Sequence, residues 1–141
     1  MSNLKNIYLA NLNVGITLLH NLHWNVVGPQ FKAVHEYLEV LYDDAFEKFD
    51  EVAERMKMDG EMPAASVKEY LELSDIEELE VKDWPVKDSF VEARKYMDHM
   101  RKAALAIREE AGEDFAWANM MEDHVAGYDK QIWFIDQSLK A

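Results

Sequence analysis

Cysteine is absent from all 141 residues, so disulfides and thiolate metal sites are both excluded. Any bound metal must be held by oxygen and imidazole nitrogen. Basic residues are scarce: 15 lysines and arginines face 28 acidic residues, a formal net charge of -13. A chain that acidic repels nucleic acid and anionic membranes and attracts cations. Only Lys5 is basic before residue 32, and the C-terminal end offers Lys130 and Lys140. Phosphate contacts dominate non-specific affinity for nucleic acid, so DNA binding is not expected. No run of about 18 apolar residues occurs, and no membrane-spanning helix is expected. The stretch Met1–Lys5 has one lysine and no apolar core of signal-peptide type, which suggests a cytoplasmic protein. Glycine and proline number only five and three, leaving long stretches with no helix breaker.

What is present is a core. Hydrophobic residues make up 49% of the chain, which argues against disorder, and the length suits a single domain spanning 1–141. Ile7, Leu12, Ile16, Leu19 and Leu22 recur at helical spacing and predict a first helix from about Leu4 to Val26. Gly28-Pro29 ends it. Val34, Leu38, Leu41, Ala45, Phe49, Val52 and Met56 predict a second from Phe31 to Met58, closed by Gly60 and Pro63. Ser66 caps a short helix through Leu71, and an acidic stretch follows from Asp75 to Glu80. A third long helix is expected from Pro85 to Ala111, with Gly112 as its stop, and a fourth from Glu113 to Leu139.

Helices of about 23–28 residues are long against a globular mean of about 11–12. Two helical hairpins joined by one long crossover make an all-α, ferritin-like four-helix bundle.

The chemistry gathers on the first two helices. His23 lies just before the Gly28-Pro29 turn and His35 just after it, so antiparallel packing can bring them together. Glu39 shares a helix face with His35, and Asp50 shares one with Glu54, each pair being i and i+4. Histidine with carboxylate suits iron(II), and zinc could use the same donors. At about 1.5 Å per residue, His35 and Asp50 stand roughly 22 Å apart along one helix. One chain cannot bring both halves to one metal. A two-fold contact can, by meeting the histidines of one copy with the carboxylates of another. An intrachain di-iron core would need Glu-x-x-His pairs. Tyr96 and Met121 stand where those glutamates would precede His99 and His124.

The run His23-Trp24-Asn25-Val26-Val27-Gly28-Pro29-Gln30-Phe31, then Val34-His35-Glu36, then Asp50-Glu51-Val52-Ala53-Glu54-Arg55, resembles the signature of Dps-type mini-ferritins. The short helix around Ser66 to Leu71 fits that family too. The resemblance implies a shell of twelve subunits with ferroxidase centres at its two-fold interfaces. There Fe(II) is oxidised, preferentially by hydrogen peroxide, and ferric mineral collects inside. It assigns His23 and His35 to one subunit and Asp50 and Glu54 to its partner. Glu39 takes the place of a further carboxylate, often Asp, and Trp24 that of a tryptophan beside the centre. Glu113 and Asp114, opening the fourth helix, match residues that line a three-fold pore, with Glu122 and Asp123 as other candidates. The rival readings are a non-redox, zinc-holding or purely structural helical oligomer, a DNA-compacting protein, and an ordinary ferritin.

Overall fold

The computed structural model describes residues 3–140; Met1 and Ser2 of the N-terminal stretch, and Ala141, lie outside the described residues. The elements run α1 (Leu4–Asn25), β1 (Val26–Val27), α2 (Phe31–Met58), α3 (Val67–Leu73), β2 (Trp84–Pro85), α4 (Val86–Ala111) and α5 (Phe115–Leu139). The α1–α2 and α4–α5 hairpins each pack along their length, and α1 also lies against α3 and α4. The four long helices and the short crossover helix match the ferritin-like bundle expected from the sequence.

The apolar stripes meet in one core. Leu12, Leu19 and Leu22 of α1 are buried with Leu38, Leu41, Val52 and Met56 of α2. Met97, Met100, Ala104 and Ile107 of α4 and Trp117, Met121 and Ile135 of α5 complete it. No helix among the described residues is long and apolar enough to cross a membrane.

Helix ends follow local chemistry. At the end of α2, Gly60 adopts a left-handed φ of 78°. The Gly60 and Glu61 N–H groups donate back to the Lys57 and Met56 carbonyls at 3.0 and 2.9 Å. That is a Schellman stop, satisfying carbonyls a helix end otherwise leaves bare. Ser66 and Glu69 form a capping box: Ser66 Oγ accepts from the Glu69 N–H, while Glu69 Oε1 accepts from Ser66 Oγ and the Ala65 N–H.

Four boundaries differ from the sequence-based expectation, the simplest being α3, which runs to Leu73 rather than ending at Leu71. Val26 leaves α1 because its backbone turns extended and pairs in parallel with Trp84, as Val27 does with Pro85. Pro85 precedes α4 rather than opening it, being part of that bridge. Asp114 is the cap of α5, its carboxylate accepting from the Trp117 N–H, so Glu113 lies outside the helix. The crossover is held to α1 by asparagines. Asn6 Oδ1 accepts from the Ala64 N–H at 2.8 Å, and Asn21 donates to the Leu79 and Glu80 carbonyls. Asn11 both donates to Asp75 Oδ1 at 2.8 Å and accepts from the Asp75 N–H. His99 of α4 reaches the same Asp75 oxygen at 2.8 Å.

Candidate metal centre

His23 comes from the last turn of α1 and His35 from near the start of α2, and the tight turn between them stacks the two rings. Their centroids are 3.7 Å apart with planes inclined by 13°. His23 Nδ1 donates to the His35 carbonyl at 2.6 Å, and His35 Nδ1 donates to the His23 carbonyl at 2.7 Å. A carbonyl only accepts, so Nδ1 carries the proton in both rings. In the neutral form, each Nε2 then keeps a lone pair for a metal, the tautomer that outer partners usually impose on ligating histidine. The turn supplies this geometry. Gly28 takes a φ of 119°, which L side chains rarely adopt, and Gln30 follows in the left-handed region at 64°.

Glu39 belongs to this half. Its Oε1 lies 4.0 Å from His23 Nε2 and accepts from the Tyr42 hydroxyl at 3.2 Å. Tyr42 in turn stacks on His20 at 3.9 Å and meets the His23 ring edge-on at 5.1 Å. Trp24, tilted against His20 at 5.1 Å, is 68% exposed, so one wall of this half is bare in the single chain.

Asp50 and Glu54 form a separate half further along α2. They line an open cavity of about 420 Å³ with Glu47, Glu51, Arg55, Met58 and Met120. Asp50 hydrogen-bonds Glu54 and, with its charge, pushes the Glu54 carboxyl above the usual carboxylate range. Such a pair relieves its repulsion by holding a proton or a cation. The structure thus brings together His23, His35 and Glu39, and separately Asp50 and Glu54, but does not join the two sets. Among the described residues, no three histidine, aspartate or glutamate side chains converge tightly enough to hold a metal.

A model of the ferritin family, described as a ferritin-like domain, matches residues 4–141. The DNA protection during starvation protein of Brevibacillus brevis is 33% identical over 97% of this chain and 93% of its own. The chain belongs to the Dps-type ferritin-like family. Antigen TpF1 of Treponema pallidum is also 33% identical, over 95% of this chain and 77% of its own. Among solved structures, Dps from Staphylococcus aureus superposes with a TM-score of 0.93 at 30% identity, covering 99% of this chain and 94% of that one. The Dps protein of Vibrio cholerae O1, described as a member of a broad superfamily of ferritin-like diiron-carboxylate proteins, superposes at 0.92 with 28% identity, covering 98% and 87%.

Two of the four pore candidates, Asp114 and Glu122, have local partners in this Dps-type chain. Asp114 caps α5, and Glu122 accepts from Arg108 Nε at 2.6 Å. Asp123 lines a second cavity of about 250 Å³ with Asp44, Glu47, Lys48, Glu51 and His124. Sequence reasoning missed the polar cluster behind that cavity. Tyr8, His124 and Tyr128 are all buried, and Lys48, 8% exposed, pairs with Asp44 and lies 5.1 Å over the Tyr128 ring. The four-residue spacing of His124 and Tyr128 was the available signal.

Proposed function

We propose that the chain is a ferroxidase that binds Fe(II) across subunit interfaces, oxidises it preferentially with hydrogen peroxide, and stores ferric mineral in a twelve-subunit shell. One observation carries the reading: two oriented but incomplete donor sets lie on the same hairpin, roughly 22 Å apart by the helical rise. The first offers two imidazole Nε2 lone pairs and the Glu39 carboxylate. The second offers Asp50 and Glu54. A two-fold contact between copies completes both at once, giving two identical sites per dimer.

The residues divide the work. The carbonyl clasp fixes the histidine rings before iron arrives, so little ordering remains for binding. Asp50 and Glu54 supply negative charge, and the -13 net charge draws Fe(II) toward the protein. Holding two irons together lets peroxide take both electrons, which avoids releasing hydroxyl radical. The protein's contribution is placement and charge, the template role of a metal site. A single set of two histidines and two or three carboxylates is thin for two irons, so the second binds more weakly. DNA binding is not part of this proposal, given the few basic residues.

The test follows Fe(II) oxidation with hydrogen peroxide and with air, for the native protein and for Asp50→Ala/Glu54→Ala. Rapid peroxide-driven oxidation that the double variant loses supports the proposal. Native protein that oxidises Fe(II) no faster than buffer overturns it and leaves an oligomer holding zinc, or no metal, without turnover.

A further inference from the structure

Tyr8, His124 and Tyr128 lie in the middle of the bundle, outside both donor sets. Tyr8 is fully buried, and its hydroxyl sits 2.8 Å from His124 Nδ1 and 2.6 Å from the Tyr128 hydroxyl. On the far side of the imidazole, His124 Nε2 lies 2.7 Å from Glu51 Oε1. The direction of this chain follows from its outer end. An ionised carboxylate accepts only, so a neutral His124 donates from Nε2 to Glu51 and leaves Nδ1 as an acceptor. Tyr8 therefore donates to His124, and Tyr128 donates to Tyr8.

That arrangement puts a buried phenol directly against a base. Another deeply buried phenol, Tyr96, instead donates to the Asn11 carbonyl, which cannot take a proton. Glu51, at the end of the chain, also lines the cavity that Asp50 and Glu54 line. Two hydrogen bonds thus connect the Tyr8 phenol to the wall of the proposed acidic half-site.

We propose that Tyr8 is a redox-active residue that stores one oxidising equivalent during peroxide reduction, its proton passing to Nδ1 of His124. The proposal rests on the ferroxidase reading and addresses a centre holding a single Fe(II). One Fe(II) gives peroxide one electron, yielding Fe(III), hydroxide and an oxidant at the level of hydroxyl radical. Tyr8 supplies the second electron, converting that oxidant to hydroxide. The phenol O–H breaks, leaving a neutral phenoxyl radical, and the proton forms an N–H on His124. The Glu51 carboxylate stabilises the resulting imidazolium, and the Tyr128 hydroxyl donates to the radical oxygen. A second Fe(II) returns an electron to Tyr8, the proton moves back, and the sum is two Fe(II) oxidised per peroxide. Irons arriving singly then give the same stoichiometry as irons bound in pairs.

The experiment uses the assembled native protein loaded anaerobically with one Fe(II) per proposed centre and mixed with one equivalent of hydrogen peroxide. Rapid-freeze electron paramagnetic resonance, with ring-deuterated tyrosine to identify the radical, is read beside hydroxyl spin trapping. A tyrosyl signal is expected in the native protein. It should be lost in Tyr8→Phe with a rise in trapped hydroxyl radical, and retained in Tyr128→Phe. His124→Gln, which can hydrogen-bond but is a poor base, should also lose it, and serves if Tyr8→Phe does not assemble. A role confined to packing moves none of these signals. An unchanged radical in Tyr8→Phe, or fast iron oxidation with no tyrosyl signal, overturns the Tyr8 proposal and leaves the ferroxidase reading standing. Native protein that fails to oxidise Fe(II) above buffer removes both.

Discussion

Gly15→Ala should destabilise this protein, although the same change in most helices stabilises it. Gly15 sits inside α1, where replacement by alanine ordinarily favours the helix by about 1 kcal/mol. Here a Cβ would stand 1.9 Å from Tyr96 Oη, 2.1 Å from Cζ and 2.4 Å from Cε1. Those atoms belong to a rigid ring, not to the end of a flexible chain. Tyr96 is 4% exposed and donates its hydroxyl to the Asn11 carbonyl at 3.1 Å. Making room means moving the ring by more than an ångström and breaking that bond. Overpacking costs about 1–3 kcal/mol, and the buried Tyr96 hydroxyl losing its acceptor costs about 1–3 kcal/mol. Subtracting the helix gain leaves a net loss of about 3 kcal/mol. Urea unfolding at one fixed protein concentration measures it, since assembly makes stability concentration-dependent. In a Tyr96→Ala background the clash is gone, and Gly15→Ala should become neutral or stabilise by up to about 1 kcal/mol. Equal costs in the two backgrounds would refute the steric argument.

Three further outcomes are expected. Ser66→Ala removes the acceptor for the Glu69 N–H and should cost about 1 kcal/mol, seen as faster amide exchange confined to α3. Burial pushes the His124 imidazole below its ordinary pKa despite the opposing Glu51 bond. The unfolded chain therefore binds a proton first as pH falls below about 6.5, and stability drops from there toward the lower folded value. Urea midpoints should fall over that window in the native protein and less in His124→Gln; equal slopes would contradict the assignment. The Asp59 carboxyl is held below the usual range, first by the Trp117 indole N–H at 2.7 Å and then by Arg55. Its contribution is present above the unfolded carboxylate pKa and lost as pH falls through the folded one. Trp117 fluorescence should follow that loss, and no acid-range change would be inconsistent with the bond.

The long helices were legible because all three prolines and three of the five glycines fall between them and the apolar residues keep helical spacing. Leu12, Leu19, Leu22, Leu38, Leu41, Val52 and Met56 were all named from spacing and are all buried. The capping box was readable because Ser66 and Glu69 are three residues apart. The meeting of His23 and His35 followed from the short turn between them. What spacing could not give was their bonding to each other's carbonyls, since any residue type supplies a carbonyl. The Tyr8–His124 and His124–Glu51 bonds span 116 and 73 residues, beyond any local pattern. Val26 was misplaced by one position for a similar reason: its partner, Trp84, lies across the crossover.

That small parallel bridge between Val26–Val27 and Trp84–Pro85 also bears on the order of folding. Each hairpin is made of contacts close in sequence, which form at little entropic cost. The bridge instead closes a loop containing the whole of α2 and the crossover, so it gains nothing until both ends have been brought together. The two hairpins should therefore form early and independently, with the bridge and the asparagine contacts of α1 arriving as they dock. The histidine clasp lies wholly within the first hairpin, so the imidazole lone pairs are set before the bundle closes. A slow-folding variant damaged in the crossover would still present that half of the proposed site, and a chain caught mid-assembly would carry the clasped histidine pair on an unfinished fold.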